Sequence, residues 1–189
     1  KKARSGAFYT PATVASRLVT QTIDARTPPI KMLDPACGSG VFLVAAAQRL
    51  QALGQPIDDG TLTGYDTDPI AVRLARLQLM QAVPDRPDYR PRITQADFLQ
   101  SALAHALPPV DLIVGNPPWG ADLPPRLAVA LSRRWPACSG RETFAAFIAA
   151  SLDQVRSGGT VAFLLPESLL TVGAHARLRE HLATATTLE

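Results

Sequence analysis

Four times along this chain a short apolar run stops at a polar residue and helix-forming sequence follows. Ile30-Lys31-Met32-Leu33 ends at Asp34 and passes, through Gly38-Ser39-Gly40, into Val41-Phe42-Leu43-Val44-Ala45-Ala46-Ala47. Leu62-Thr63-Gly64-Tyr65-Asp66 precedes a helix from Pro69, Arg92-Ile93-Thr94-Gln95 stands before Asp97-Phe98, and residues 110–114 run into Gly115-Asn116. Strand and helix in alternation predict an α/β fold, a mostly parallel sheet wound with helices on both faces. Parallel neighbours need a crossover connection, and that crossover is usually a helix. Ligands of such sheets lie outside the carboxyl ends of the strands. Asp34, Asp66, Asp97 and Asn116 all fall on that side, so one crevice is expected to receive three carboxylates and an amide.

The remaining chain fits the same plan. Thr10-Pro11 reads as a helix cap followed by proline at the first helical position, with Ala15, Leu18, Val19 and Ile23 at helical spacing. The helix from Pro69 is expected to bury Ile70, Leu74 and Leu77 and to turn Arg73 and Arg76 outward. Residues 120–142, with Pro124, Pro125, Pro136 and Gly140, read as a loop with a short helix near 127–131. Phe144, Phe147, Ile148 and Leu152 restore helical spacing, a turn is expected at Gly158-Gly159, a strand over 160–165 and a last helix over 174–183. A length of 189 residues with 47% hydrophobic content suits one well-cored domain. The net charge of +3 permits a nucleic-acid partner without requiring one. Cys37 and Cys138 form no ligand cluster, so a reduced, cytoplasmic protein without a metal site is expected. No apolar run reaches the roughly 20 residues that cross a bilayer. The chain begins with Lys, which reads as a piece of something longer.

Asn116-Pro117-Pro118-Trp119 carries the sharpest chemistry. An exocyclic amino group on an aromatic ring is a poor nucleophile because its lone pair is delocalised. The Asn116 amide oxygen and a backbone carbonyl of the proline pair can accept its two hydrogens and turn that lone pair towards an electrophile. Proline fixes φ near −65° and has no N–H, so the segment is stiff and its carbonyls face the substrate. Trp119 offers a surface for a base to stack on. Gly38 and Gly40 suit a loop that a ligand approaches closely, although a bare G-x-G describes a tight strand-to-helix turn equally well. Asp66 is placed to accept from ribose hydroxyls, while Asp68, just before Pro69, reads as a helix cap. Asp97 is a candidate acceptor for an adenine amino group, with the Phe98 ring packed on the base. No cation near Cys37 in sequence lowers its pKa, so it reads as a small packing residue. Trp135 reads as a base contact or a packing residue. Arg126, Arg133, Arg134 and Arg141 outnumber Asp122 and Glu142 and form a rim that meets phosphates or merely solvent.

Taken together and in this order, these segments resemble the S-adenosylmethionine-dependent, adenine-specific DNA methyltransferases, of the arrangement in which the cofactor motifs precede the catalytic one. The resemblance covers nearly the whole chain. It implies a Rossmann-like class I methyltransferase domain over residues 1–189. Ser5-Gly6-Ala7-Phe8-Tyr9-Thr10-Pro11 is similar to the segment that closes over the methionine end of the cofactor. Asp34, Ala36, Cys37, Gly38 and Gly40 match the first cofactor motif, Asp66 and Thr67 the ribose site, and Asp97-Phe98 the adenine site. Asn116, Pro117, Pro118 and Trp119 match the catalytic motif, with Asn116 also beside the cofactor. The implied partner is double-stranded DNA with a flipped adenine, in a restriction-modification or phage-defence system. A final strand pair and a fused recognition domain or specificity subunit are expected outside this chain. Protein-glutamine or RNA-base methylation, and a cofactor-binding module of a larger assembly, are the competing readings.

Overall fold

The computed structural model describes residues 10–24, 29–105, 107–120, 123–138 and 142–188. Phe8 and Tyr9, with Asp122, Gly140 and Arg141 of the expected rim, lie outside the described residues. Five strands, β1 (Met32–Asp34), β2 (Leu62–Asp66), β3 (Arg92–Gln95), β4 (Val110–Gly115) and β5 (Val155–Phe163), form one parallel sheet in the order β3-β2-β1-β4-β5. Helices α1 (Ala12–Asp24), α2 (Val41–Ala52), α3 (Pro69–Ala82), α4 (Phe98–Ala104), α5 (Pro125–Arg134), α6 (Thr143–Gln154), α7 (Ser168–Thr171) and α8 (Ala176–Ala185) accompany it.

Side chains alternate across a strand, and the two faces feed two cores. Met32, Leu112 and Val114 join Val19 of α1, Leu43 of α2 and Leu79 of α3. Leu33 and Ile113 join Leu99 of α4, Leu131 of α5 and Phe147 of α6. The sheet is therefore doubly wound, as the alternation predicts. Asp111 locks the amino end of β4 to both neighbours, accepting from the Lys31 backbone N–H at 2.6 Å and pairing with Arg156 of β5. Among the described residues no helix is long and apolar enough to cross a membrane.

The structure changes four local readings. The Pro11 carbonyl accepts from the N–H groups of Val14 and Ala15, so Pro11 takes the cap position of α1 and the Thr10 hydroxyl is used elsewhere. The expected turn at Gly158-Gly159 is an irregularity within β5. An advance of two residues on β4, 110 to 112, is matched there by five on β5, 155 to 160. The segment after Trp119 is more helical than expected, with α5 spanning ten residues.

The largest change is the face of α3, which buries Val72, Ala75 and Leu79 and leaves Ile70 65% and Leu77 57% exposed. Arg76 turns its guanidinium back onto the sheet, donating to the Ile93 carbonyl at 2.5 Å. The reason is proximity: a Cβ added at Gly40 would stand 3.1 Å from Ala75 Cβ. The start of α2 approaches α3 so closely that a small residue must face inward, and the larger ones are turned out.

Candidate active site

The winding reverses at β1, which lies between β2 and β4, so the switch point opens between the carboxyl ends of β1 and β4. Across the sheet the strand ends present Asp97 after β3, then Asp66, Asp34 and Asn116. The four residues chosen by position in the sequence are neighbours in space.

The loop from β1 to α2 is shaped by backbone donors. Ala36 N–H donates to Asp34 Oδ1 at 3.1 Å, Cys37 N–H to the Tyr65 carbonyl at 2.8 Å, and Gly38 N–H to Asp66 Oδ2 at 2.8 Å. Gly40, at φ 93°, begins α2 in a left-handed conformation that a side chain would strain. Apart from its two chain neighbours, no described residue comes within 4 Å of where a Cβ of Gly38 would stand, so the loop backbone is open to a ligand. Cys37 is buried, and a Cβ on Gly64 would sit 3.1 Å from its Sγ. Burial, with Asp34 and Asp66 nearby, raises its thiol pKa well above the ordinary range. It is a packing residue, as its sequence context suggests.

Asp66 is half-buried, and its second oxygen accepts from Asp68 N–H at 2.9 Å. An ionised carboxylate has about four acceptor sites, so two remain for a ligand's hydroxyl pair. Asp68 caps α3 by accepting from Ile70 N–H at 2.8 Å, and Thr67 is exposed beside it. Asp97 caps α4, one oxygen accepting from the Gln100 backbone at 3.1 Å and the other from Gln100 Nε2 at 3.2 Å. Phe98 departs from expectation. It is 1% exposed, with Tyr65 and Phe147 at centroid distances of 5.8 and 5.7 Å. As the first residue of α4 it turns into the core, leaving no face on which a base can pack.

Asp34 is the second correction. It is completely buried, so it offers no carboxylate to the open crevice. Its Oδ2 has no hydrogen-bond partner among the described residues, and a Cβ added at Gly115 would stand 2.7 Å from its Oδ1. Burial, with the Asp66 charge adding to it, pushes its pKa up to about 8 against the single opposing hydrogen bond from Ala36. Gly115 thus packs directly on the Asp34 carboxyl, a contact that motif reading passed over. The signal was a lone glycine closing the otherwise aliphatic strand end Leu112-Ile113-Val114.

On the other side of the switch point, Asn116 Nδ2 donates to Thr10 Oγ1 at 3.1 Å, across 106 residues of sequence. Trp119 Nε1 donates to Asn116 Oδ1 at 3.2 Å. Pro117 is buried and Pro118 half-buried, while the half-buried Trp119 packs against the cluster of Phe144, Ile148, Leu169 and Leu178. The Gly115 carbonyl accepts from Leu164 N–H at 3.0 Å, fixing the strand end that carries Asn116. Arg126 and Arg133 are exposed, whereas Arg134 pairs with Asp153 at 2.5 Å. Trp135 is buried and belongs to the core, which removes it as a base contact.

Residues 1–189 match the N-6 DNA methylase family. The chain is 28% identical over 179 residues to the type II methyltransferase M.VspI of Vibrio sp. (strain 343), covering 95% of this chain and 41% of that protein. It resembles the methyltransferase subunit of a type I restriction-modification system from Streptococcus thermophilus, with TM-score 0.73, 21% identity, and 97% and 40% of the two chains covered. A nuclease-deletion mutant of the type ISP restriction-modification enzyme LlaGI, solved with a DNA substrate mimic, superposes with TM-score 0.75 at 14% identity, covering 95% of this chain and 20% of that one. The chain therefore spans less than half the length of each of these relatives.

Proposed function

This chain belongs to the N-6 DNA methylase family, and from that premise we propose that it is the catalytic domain of an adenine-specific DNA methyltransferase of the restriction-modification kind. The observation that carries this reading is Asn116, braced by Thr10 at 3.1 Å at the end of β4, with the Gly38–Asp66 contact at the ends of the neighbouring strands β1 and β2. S-adenosylmethionine, when bound, supplies an electrophilic methyl group on a sulfonium. The residues fit it. The uncovered Gly38 backbone admits close approach, and the two remaining acceptor positions of Asp66 suit a ribose diol.

Asn116 Oδ1 accepts one hydrogen of the adenine amino group, and the Pro117 carbonyl accepts the other. Their combined pull turns the nitrogen lone pair out of conjugation and towards the methyl carbon. The protein contributes orientation, and no strong base is needed because the alkylated nitrogen is an acidic cation. The adenine has to leave the duplex to reach this site. Trp119 receives its face, at roughly 1–3 kcal/mol of stacking. Arg126 and Arg133 meet phosphates without reading sequence. Target choice then rests with a recognition domain or specificity subunit.

The test is transfer of tritiated methyl groups by the intact protein to duplex DNA, with products resolved by nucleoside. Label in N6-methyladenine that disappears in Asn116→Ala is expected. Label confined to RNA or to protein glutamine would overturn the reading.

A further inference from the structure

Asp34 is left without work by that chemistry. It is wholly enclosed, yet it sits under the floor of the switch point. One oxygen accepts a single backbone bond from Ala36 and lies against Gly115, the residue before Asn116. The other oxygen has no partner among the described residues. A buried carboxylate normally keeps company with a cation or several donors. Asp34 has neither among the described residues. The titratable groups that share its field are Asp66 on β2 and Cys37 in the loop, one an added negative charge and the other a neutral thiol. The neighbour it meets at the end of β4, Gly115, does not titrate.

We propose that Asp34 is a proton-linked charge sensor of the methyl-donor site, neutral when the crevice is empty and ionised when a sulfonium cation occupies it. This rests on the function proposed above. Methyl transfer to the nitrogen held at Asn116 requires the sulfonium to lie next to that residue, hence close to the Gly115–Asp34 contact. In the buried, cation-poor setting of Asp34 a single positive charge is enough to favour the carboxylate. The balance is simple. On donor binding the Asp34 O–H proton passes to solvent. When the C–S bond breaks and its electron pair stays on sulfur, the product is a neutral thioether, and Asp34 takes a proton back. The raised pKa of about 8 places this exchange in the neutral range. Asp34 thereby discriminates donor from demethylated product by charge, and its re-protonation weakens the hold on the product side.

The experiment is titration calorimetry of the intact protein with S-adenosylmethionine and, separately, S-adenosylhomocysteine, in two buffers of different ionisation enthalpy near pH 7. Release of up to one proton per donor bound, and close to none for the thioether, is expected. Donor affinity should tighten by up to about tenfold per pH unit below pH 8 and level off above it, since each binding event then releases no proton. Asp34→Asn should lose the release and flatten the pH dependence. Infrared difference spectra of the wild-type protein add a measurement independent of that variant: a protonated-carboxyl band should vanish with the donor and persist with the thioether. Donor binding with no proton release, release that survives Asp34→Asn, or an unchanged carboxyl band overturns the sensor while leaving the function intact. No donor binding at all removes the function and the sensor together.

Discussion

On the β1–β2 side of the crevice the contacts that shape the wall have a backbone group at one end or both: Gly38 and Asp68 donate to Asp66, Cys37 to Tyr65, and Ala36 to Asp34. On the β4 side the strand end is pinned by Leu164 N–H on the Gly115 carbonyl, but the contacts of Asn116 itself run between side chains, to Thr10 and from Trp119, at 3.1 and 3.2 Å. Backbone donors locked into a turn cannot leave without unwinding it. Side-chain bonds at the long end of the normal range contribute about 0.5–1.5 kcal/mol each and can be exchanged for bonds to a ligand. The first wall is set before anything binds, and the second is held in place by contacts that an incoming base can replace. This division matches the chemistry proposed for each, a cofactor whose shape is constant and a base that arrives by leaving a duplex.

The division breaks most directly at Asn116. Asn116→Ala should lower methyl transfer by about 100- to 1000-fold, the range expected when a single group stabilising the reacting centre is removed. Cofactor affinity should stay within about twofold, because the other wall keeps its own hydrogen bonds. Single-turnover rates and equilibrium binding, measured on the same preparation, separate the two. A parallel fall in affinity and rate would mean that the walls are not independent.

Asp66→Ala is the reciprocal variant. It removes the acceptor that holds Gly38 N–H and the positions proposed for the ribose hydroxyls, so cofactor binding should weaken by roughly 1.5–3 kcal/mol, about 10- to 150-fold. The rate at saturating cofactor should change far less. A variant that binds as tightly as the wild type would dismiss Asp66 from the site.

The seam between the walls is the contact of Asp34 with Gly115. Gly115→Ala drives a methyl group to 2.7 Å from the Asp34 carboxyl, and overpacking of this kind costs about 1–3 kcal/mol, readable as a lower Tm. Asp34 also sets a pH dependence. Its pKa is raised from an ordinary 3.8 to about 8, so between those values the folded protein holds a proton that the unfolded chain releases. The stability of the ligand-free protein should therefore fall as pH rises from about 4 to about 8, and Asp34→Asn should flatten that slope. A thermal melt that rises with pH across the same window in wild type, and not in the variant, would contradict the sign.

Much of this was legible in the residues themselves. β2 and β3 stand where period and punctuation put them, because each is a short apolar-centred run with a polar stop. The neighbourhood of Asp34, Asp66, Asp97 and Asn116 followed from strand-end position alone. Depth was not legible. Nothing local distinguishes Asp34 from Asp66, yet β1 is central and is covered at its end by Gly115, whereas the end of β2 opens to solvent. Phe98 reads as a ring for a base and proves to be core, since its partners Tyr65 and Phe147 lie 33 and 49 residues away along the chain. The inverted face of α3 has the same origin. Periodicity favours Ile70, Leu74 and Leu77 as the buried stripe, and the close approach of Gly40 to Ala75, a tertiary fact, selects the smaller side chains instead.

The smallest effect expected concerns Thr10. Its hydroxyl is the acceptor for Asn116 Nδ2, and it is 6% exposed, so Thr10→Val keeps the shape and removes one buried bond. The Asn116 amide then loses one of the two contacts that orient it and keeps the Trp119 bond to its oxygen, so the amide is held at one end alone and presents its acceptor to the adenine amino group less constantly. About 1 kcal/mol is at stake, close to a fivefold reduction in the transfer rate. Cofactor affinity should be unmoved, and Thr10→Ser should restore the rate. Should Thr10→Val reduce affinity and leave the rate alone, Thr10 would belong to the fixed wall, and the boundary between the two walls would have to be redrawn through α1.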